Sequence, residues 1–338
     1  MRSVECSYDT PPDSPPATPD VVVQTQSPSV PNVHSDNARP GLPPRRHIEL
    51  ELLHHYMTET YKTVAQGTQQ ATLSKLLVDF PLLALRHSEL LDLIFSLTAF
   101  HIASSRPESA SLWSELGLQY KNRALGLLRQ SMISITAQHD QQKIEALFAS
   151  SILIAITTFV SMKKDAASFV EILKAGGQLS IGTVMLQDYR VEEIMRTEMT
   201  TLSCETLDES IIDEGVVEAF RRLRALASSR DDSDGLRAGC VNSLWTCFEF
   251  CARGWYVTGG SAYGALYQYS QLVERAPQDQ FTQCVALVIS VLMHFINGRW
   301  WAADLGRLGF IEVSASEPLQ NSEDCVSLVN WARRRVGL

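Results

Sequence analysis

With 338 residues, 45% of them hydrophobic and 20% charged, the chain is long enough for one large domain or two ordinary ones and can fill a sizeable core. A net charge of -9 and a pI near 5.4 exclude unaided binding to a phosphate backbone unless charge is strongly segregated. The four basic residues before His47 (Arg2, Arg39, Arg45 and Arg46) are too sparse to supply that segregation. Seven scattered cysteines, an odd number, read as reduced thiols of the cytosol or nucleus rather than a disulfide framework. The N-terminus has no apolar h-region and carries Glu5, so no secretory signal is read there.

Residues 1–46 hold ten of the fourteen prolines, which remove backbone donors and fix φ, and they carry almost no large apolar side chains. A disordered, partly polyproline linker is expected there. From His47 onward the pattern is helical. Ile48, Leu52, Tyr56, Thr60 and Val64 recur every four residues and draw one stripe on a helix. Leu73, Leu76, Leu77 and Phe80 predict a short second helix stopped by Pro81. Residues 82–104 predict a third, apolar on most sides and therefore central, ending before Pro107. Trp113, Leu116, Tyr120, Ala124 and Leu127 mark a fourth.

The uncharged run 146–162 predicts a buried helix closed by Lys163 and Lys164, and it is shorter than the ~20 residues of a bilayer span. Phe169, Ile172, Leu173 and Leu179 suggest another helix, with Gly176 and Gly177 allowing close packing. The carboxylate-rich 205–218 stretch reads as a solvated helix or loop, and 231–235 as a surface turn. Helices are expected at 237–255, 262–275, 280–305 and 323–335. No alternating strand pattern and no tandem repeat is found. The expected fold is all-α: a single elongated domain of antiparallel helices over 47–338, after the linker.

Chemistry-bearing residues are few. Cys240, Cys247 and Cys251 share one helix face but show no fourth metal ligand, which favours core packing. His47, His54, His55, His87 and His101 contain no HExxH pair, and read as structural or surface histidines. The run TGGSAYG at 258–264 matches no phosphate loop and no nucleophile elbow, so a cap or tight turn is expected. No catalytic constellation is present, and the chain is expected not to be an enzyme. Trp245, Phe248, Trp255, Tyr256, Tyr263 and Tyr267 form an aromatic-rich region, with Trp300 and Trp301 further on. Such a set suits either the core or a hydrophobic ligand pocket between helices, and these six are the candidate pocket residues. Arg333, Arg334 and Arg335 would serve nuclear import, a partner or a solvated last helical turn.

Several stretches, in their order along the chain, resemble one family. HIELELLHHYMTETYKTVA, FPLLALRHSELLDLIFSLTAFHIASSRP, YKNRALGLLRQSM, FINGRWWAADLGR and WARRRVGL are similar to the regulatory domain of fungal binuclear zinc-cluster (Zn2Cys6) transcription factors, in particular the sterol uptake control type. VECSYDTPP, with residues 1–8, resembles the exit from the zinc cluster itself. Cys6 matches only the last of its six cysteines, and the next along is Cys204. One thiolate cannot complete a tetrahedral site, so no zinc or other cofactor is expected in this chain unless a cluster lies upstream. The resemblance implies transcriptional control in the nucleus, of a metabolic or secondary-metabolite gene set. The implied partners are other transcription factors, a second copy of the chain, or a sterol or other hydrophobic small molecule. DNA would be reached only indirectly or through an upstream zinc cluster, and no membrane span is expected. The alternative is a helical sterol or lipid sensor or carrier that does not bind DNA directly.

Overall fold

The structure is a computed structural model, and it describes residues 45–64, 75–134, 141–164, 167–179, 211–229, 232, 235–252, 260–296 and 298–338. Nearly all of the expected linker, Cys6 included, falls in a separate unit, Met1–Pro43, and lies outside the described residues. Its last two residues, Arg45 and Arg46, already belong to the first helix. The second unit, Pro44–Leu338, holds the rest of the chain. Among the described residues every regular element is a helix, so the all-α expectation holds.

α1 (Arg45–His55) runs through a wide π turn (Tyr56–Thr60) into α2 (Tyr61–Val64). A second π turn (Lys75–Asp79) leads into α3 (Phe80–Ala84). Pro81 therefore does not stop a helix, as its residue type alone suggests; it sits in the first turn of α3, where its missing N–H has no intrahelical partner to lose. The predicted third helix is likewise interrupted by a turn at 85–87 and restarts as α4 (Ser88–Ser105).

α4 is the hub of the first half. Glu89, Leu90, every residue from Asp92 to Phe100, and Ile102 are buried. It packs against α1, α3, α5 (Ala110–Ser134) and α6 (Gln141–Lys164). Polar groups on a covered helix need partners, and α5 supplies them. Arg123 forks onto the Asp92 carboxylate. Ser131 donates to Glu89 at 3.0 Å, and Ser96 to the Gly117 carbonyl at 2.8 Å. A Cβ on Gly117 would stand 3.0 Å from the Phe100 ring, so glycine sets how closely α4 and α5 approach.

Residues 142–163 of α6 are long and apolar enough to cross a bilayer, so the expectation drawn from the shorter 146–162 run does not hold on length. Yet 82% of its most apolar window is buried in the helical body, against α4, α5 and α7 (Phe169–Leu179), which accounts for its composition.

The second half has its own hub. α8 (Glu214–Ser228), α9 (Leu236–Ala252), α10 (Gly260–Arg275), α12 (Leu305–Ser314), α13 (Glu317–Gln320) and α14 (Glu323–Arg335) all pack on α11 (Gln280–Phe295). Its residues Phe281 to Val291 are buried without a break. In sequence α8 is hidden by the carboxylates before it. One of these, Asp213, is its N-cap and accepts from the Val216 N–H at 2.9 Å. α11 stops at Phe295, short of the expected 305, because turns occupy the Trp-rich segment. TGGSAYG ends within α10, whose first residue is Gly260. α14 closes with Gly337 at φ +72 and the Leu338 N–H bonded to the Arg333 carbonyl at 3.1 Å, the Schellman pattern.

α7 joins the halves, packing on α6, α10 and α12. Gly177 lies against α10 so closely that a Cβ would fall 2.1 Å from the Leu266 carbonyl oxygen. Gly126 on α5 faces open space instead. Gly177→Ala should therefore lose about 1–3 kcal/mol by overpacking, while Gly126→Ala gains about 0.5–1 kcal/mol from helix propensity. Urea unfolding of the two variants checks the opposite signs.

Candidate functional site

The six aromatic residues expected to line a pocket divide three ways. Trp255 and Tyr256 lie outside the described residues, as does the side chain of Tyr263, whose backbone is in α10. Tyr267 is half-buried on α10. Trp245 and Phe248 lie on α9, the first half-buried and the second in the core. Phe248 is fully buried, edge-on to Phe220 at 5.3 Å and to Phe295 at 5.7 Å. Trp245 meets Phe220 edge-on at 5.1 Å, donates its indole N–H to Glu249 at 2.9 Å, and carries the Arg224 guanidinium over its ring.

A different constellation draws distant segments together, and its centre is His101 near the end of α4. One face of the His101 ring stacks on Trp300, with centroids 5.1 Å apart and planes 27° apart. His55, the last residue of α1, is tilted against it at 5.3 Å. His101 Nδ1 shares a 2.9 Å hydrogen bond with the hydroxyl of Thr60, a fully buried residue of the π turn. Trp300 donates its indole N–H to Thr63 Oγ1 at 2.9 Å, and Thr63 donates onward to the Thr60 carbonyl at 2.7 Å. Arg299, itself buried, donates to the Val64 carbonyl at 2.7 Å. Residues 55–64, 101 and 299–300 are thus tied in one knot.

The π turn has a local purpose here. The wider turn adds a residue to the helix without ending it, and so re-aims the helix beyond it. Thr60 is brought to His101 while Thr63 and Val64 reach the segment at 299–300. That segment ends at Asp304, which holds φ +64 just before α12.

The electrostatics favour neutral imidazoles. Burial, then the neighbouring His55, brings His101 down to about 4. Burial and Arg106 also lower His55, whose Nε2 is buried without a hydrogen-bond partner. The pair offers two ring nitrogens to a metal at most, and among the described residues no group of three or more His, Cys, Asp or Glu is placed to hold one.

The remaining candidates have structural neighbours. Cys240, Cys247 and Cys251 are buried free thiols along α9. Burial pushes Cys240 and Cys251 up to about 12, and Cys247 up as well, with its neighbouring thiols adding to the shift. Of the terminal arginines, Arg335 pairs with Asp213 at the start of α8, whereas Arg333 and Arg334 are exposed. In the sequence His101 and Trp300 stand apart, one among the histidines and the other among the aromatics. Nothing in the order of residues signals a pairing across nearly two hundred positions.

Residues 51–180 match the family described as the Fungal specific transcription factor domain. The chain is similar to the Zn(2)-C6 fungal-type transcription factor afumD of Aspergillus fumigatus, 26% identical over 195 residues. That match covers 56% of this chain and 48% of the relative, so the chain spans about half the length of the curated protein it matches. No solved structure matches. The domain match begins within α1 and takes in His55, Thr60, Thr63 and His101, while their partners Arg299 and Trp300 lie beyond it.

Because a histidine that is hard to protonate in the folded state charges readily once unfolded, stability should fall as pH drops from about 6.5 to about 4. Above about 6.5 the His101 contribution is fully present. Allowing for its partial exposure, the loss is on the order of 1 kcal/mol. His101→Phe keeps the stack and removes the titration, so urea unfolding across this range should show a shallower decline in the variant.

Proposed function

We propose that this chain, which belongs to the fungal zinc-cluster transcription factor family, regulates transcription in the nucleus through its helical body. The observation that carries the reading is the domain match over residues 51–180, which takes in the hub helix α4 and the histidine side of the knot. The regulated genes, on this reading, form a metabolic or secondary-metabolite set.

The mechanism we favour is a shift between two packings of the helices. A hydrophobic small molecule, sterol-like in chemistry, or a protein partner would bind one packing better than the other, which is what any such shift requires. The knot at His101 is a natural place for the two packings to differ. It ties the end of α1 and α2 to the Trp-rich segment by a few hydrogen bonds and one ring stack. A net charge of -9 argues that promoter DNA is reached with a second protein or a second copy of the chain, or through a zinc cluster upstream of it.

Transcripts from the source organism with and without this gene test the reading. A discrete set of genes, grouped by pathway, should change in abundance. Trp300→Ala, which removes the ring stack and the bond to Thr63, should reproduce part of that change while the protein remains at normal levels. An unchanged transcript profile in the deletion strain overturns the regulatory reading.

A further inference from the structure

Two buried thiols outside the knot face each other across the second hub. Cys284, on α11, and Cys325, in the first turn of α14, are both fully buried, and their sulfurs stand 3.4 Å apart. They are 41 residues apart in sequence, and α12 and α13 lie between them along the chain. From this geometry we propose that Cys284 and Cys325 form a peroxide-sensitive dithiol, oxidised reversibly to a disulfide that staples α14 to α11.

Their placement separates them from the other described cysteines. Closing an S···S gap of 3.4 Å to a bonded length of about 2.05 Å requires a movement of about 1.4 Å. The two sulfurs differ in character. On Cys325 the largest influence is the hydrogen bond from Cys284; burial opposes it, Ser322 and Gln280 reinforce it, Asp324 opposes it, and the net brings the thiol down to about 7. The first turn of a helix also favours a thiolate, through its unpaired N–H groups and the positive end of the dipole. Cys284 is pushed well up by that same bond and by burial, with Asp279 and Asp324 adding to it. One thiol is thus prepared to attack while the other keeps its proton. On α9, by contrast, burial holds the Cys240 and Cys251 thiols near 12.

A way in exists. A surface cleft is lined by Ala276–Gln280, Pro318, Asn321 and Ser322. Gln280 and Ser322, the two residues that hydrogen-bond to Cys325, stand in its wall. On this proposal, hydrogen peroxide enters from the cleft when these two side chains move aside.

The chemistry balances with peroxide as the sole oxidant. The Cys325 thiolate attacks one peroxide oxygen and the O–O bond breaks. Hydroxide leaves and takes a proton to become water, so Cys325 is left as a sulfenic acid. Cys284 then gives up its proton as its sulfur attacks that of Cys325. The S–O bond breaks, and the departing hydroxide takes the proton as a second water. Two thiols lose two electrons in total and one peroxide gains them. A dithiol reductant reverses the bond by thiol–disulfide exchange.

The test uses the full reduced chain, treated with a modest excess of hydrogen peroxide, quenched with N-ethylmaleimide under denaturing conditions, and mapped by mass spectrometry without reduction. A peptide pair joining Cys284 to Cys325 is expected, lost on dithiothreitol treatment, with Cys240, Cys247 and Cys251 alkylated and therefore still reduced. In Cys284→Ser, dimedone should trap the Cys325 sulfenic acid; in Cys325→Ser, Cys284 should stay reduced. Free Cys284 and Cys325 after a reference thiol peptide is fully oxidised, or Cys325 joined to any other cysteine, would overturn the proposal. So would equal oxidation of Cys284 in the Cys325→Ser variant. Should either variant lose its helical circular dichroism, the map of the unsubstituted chain decides alone.

Discussion

A helix that is apolar on nearly every side must be covered on every side, and in this chain that helix is α4. From Leu90 to Ile102 almost nothing reaches solvent. α1, α3, α5 and α6 all find their places against it. The requirement extends to its polar atoms, because a buried carboxylate or hydroxyl without a partner costs about 1–3 kcal/mol or more. Asp92, Glu89 and Ser96 therefore set the register of α5, whose Arg123, Ser131 and Gly117 carbonyl meet them one by one. Hydrophobic coverage is tolerant of small slips along the helix. The Arg123 fork onto Asp92 is not, since two parallel bonds form at one register only.

The same logic recurs at α11 in the second half, again as an unbroken buried run ringed by shorter helices. The halves meet through α7, whose Gly177 lets it come within backbone contact of α10. They meet again, by different means, at His101. Large apolar contacts hold each hub, while a ring stack and a few hydrogen bonds tie the chain from α1 through α2 to the 299–300 segment. Contacts that are few, directional and partly exposed open at lower cost than an interdigitated core. On the proposed reading, this difference in kind is why the knot is where one packing gives way to another.

The thiol chemistry is a product of packing too. Five buried cysteines are described, and burial alone would leave all of them inert. Cys325 differs because it stands in the first turn of a helix and accepts bonds from Cys284, Ser322 and Gln280.

Much of the fold is legible in the chain itself. Helical period, the absence of strand alternation, the central character of the 82–104 run and the closing 323–335 helix are all readable, because burial and period 3.6 are local properties of residue order. The misleading signals are also local. Pro81 has the residue type of a stop and is a first-turn residue; α8 is masked by carboxylates that include its own cap; the Trp-rich turns resemble the end of a longer helix. The site is another matter. His101 against Trp300, Thr60 against His101, and Cys284 against Cys325 are meetings between elements, and each residue considered by itself suits an ordinary core equally well. What the order of amino acids determined by itself was which surfaces had to be hidden. Which hidden groups would touch was decided only by tertiary packing, because burial constrains a side chain's surroundings by polarity and volume and leaves the identity of its neighbour to the path of the whole chain.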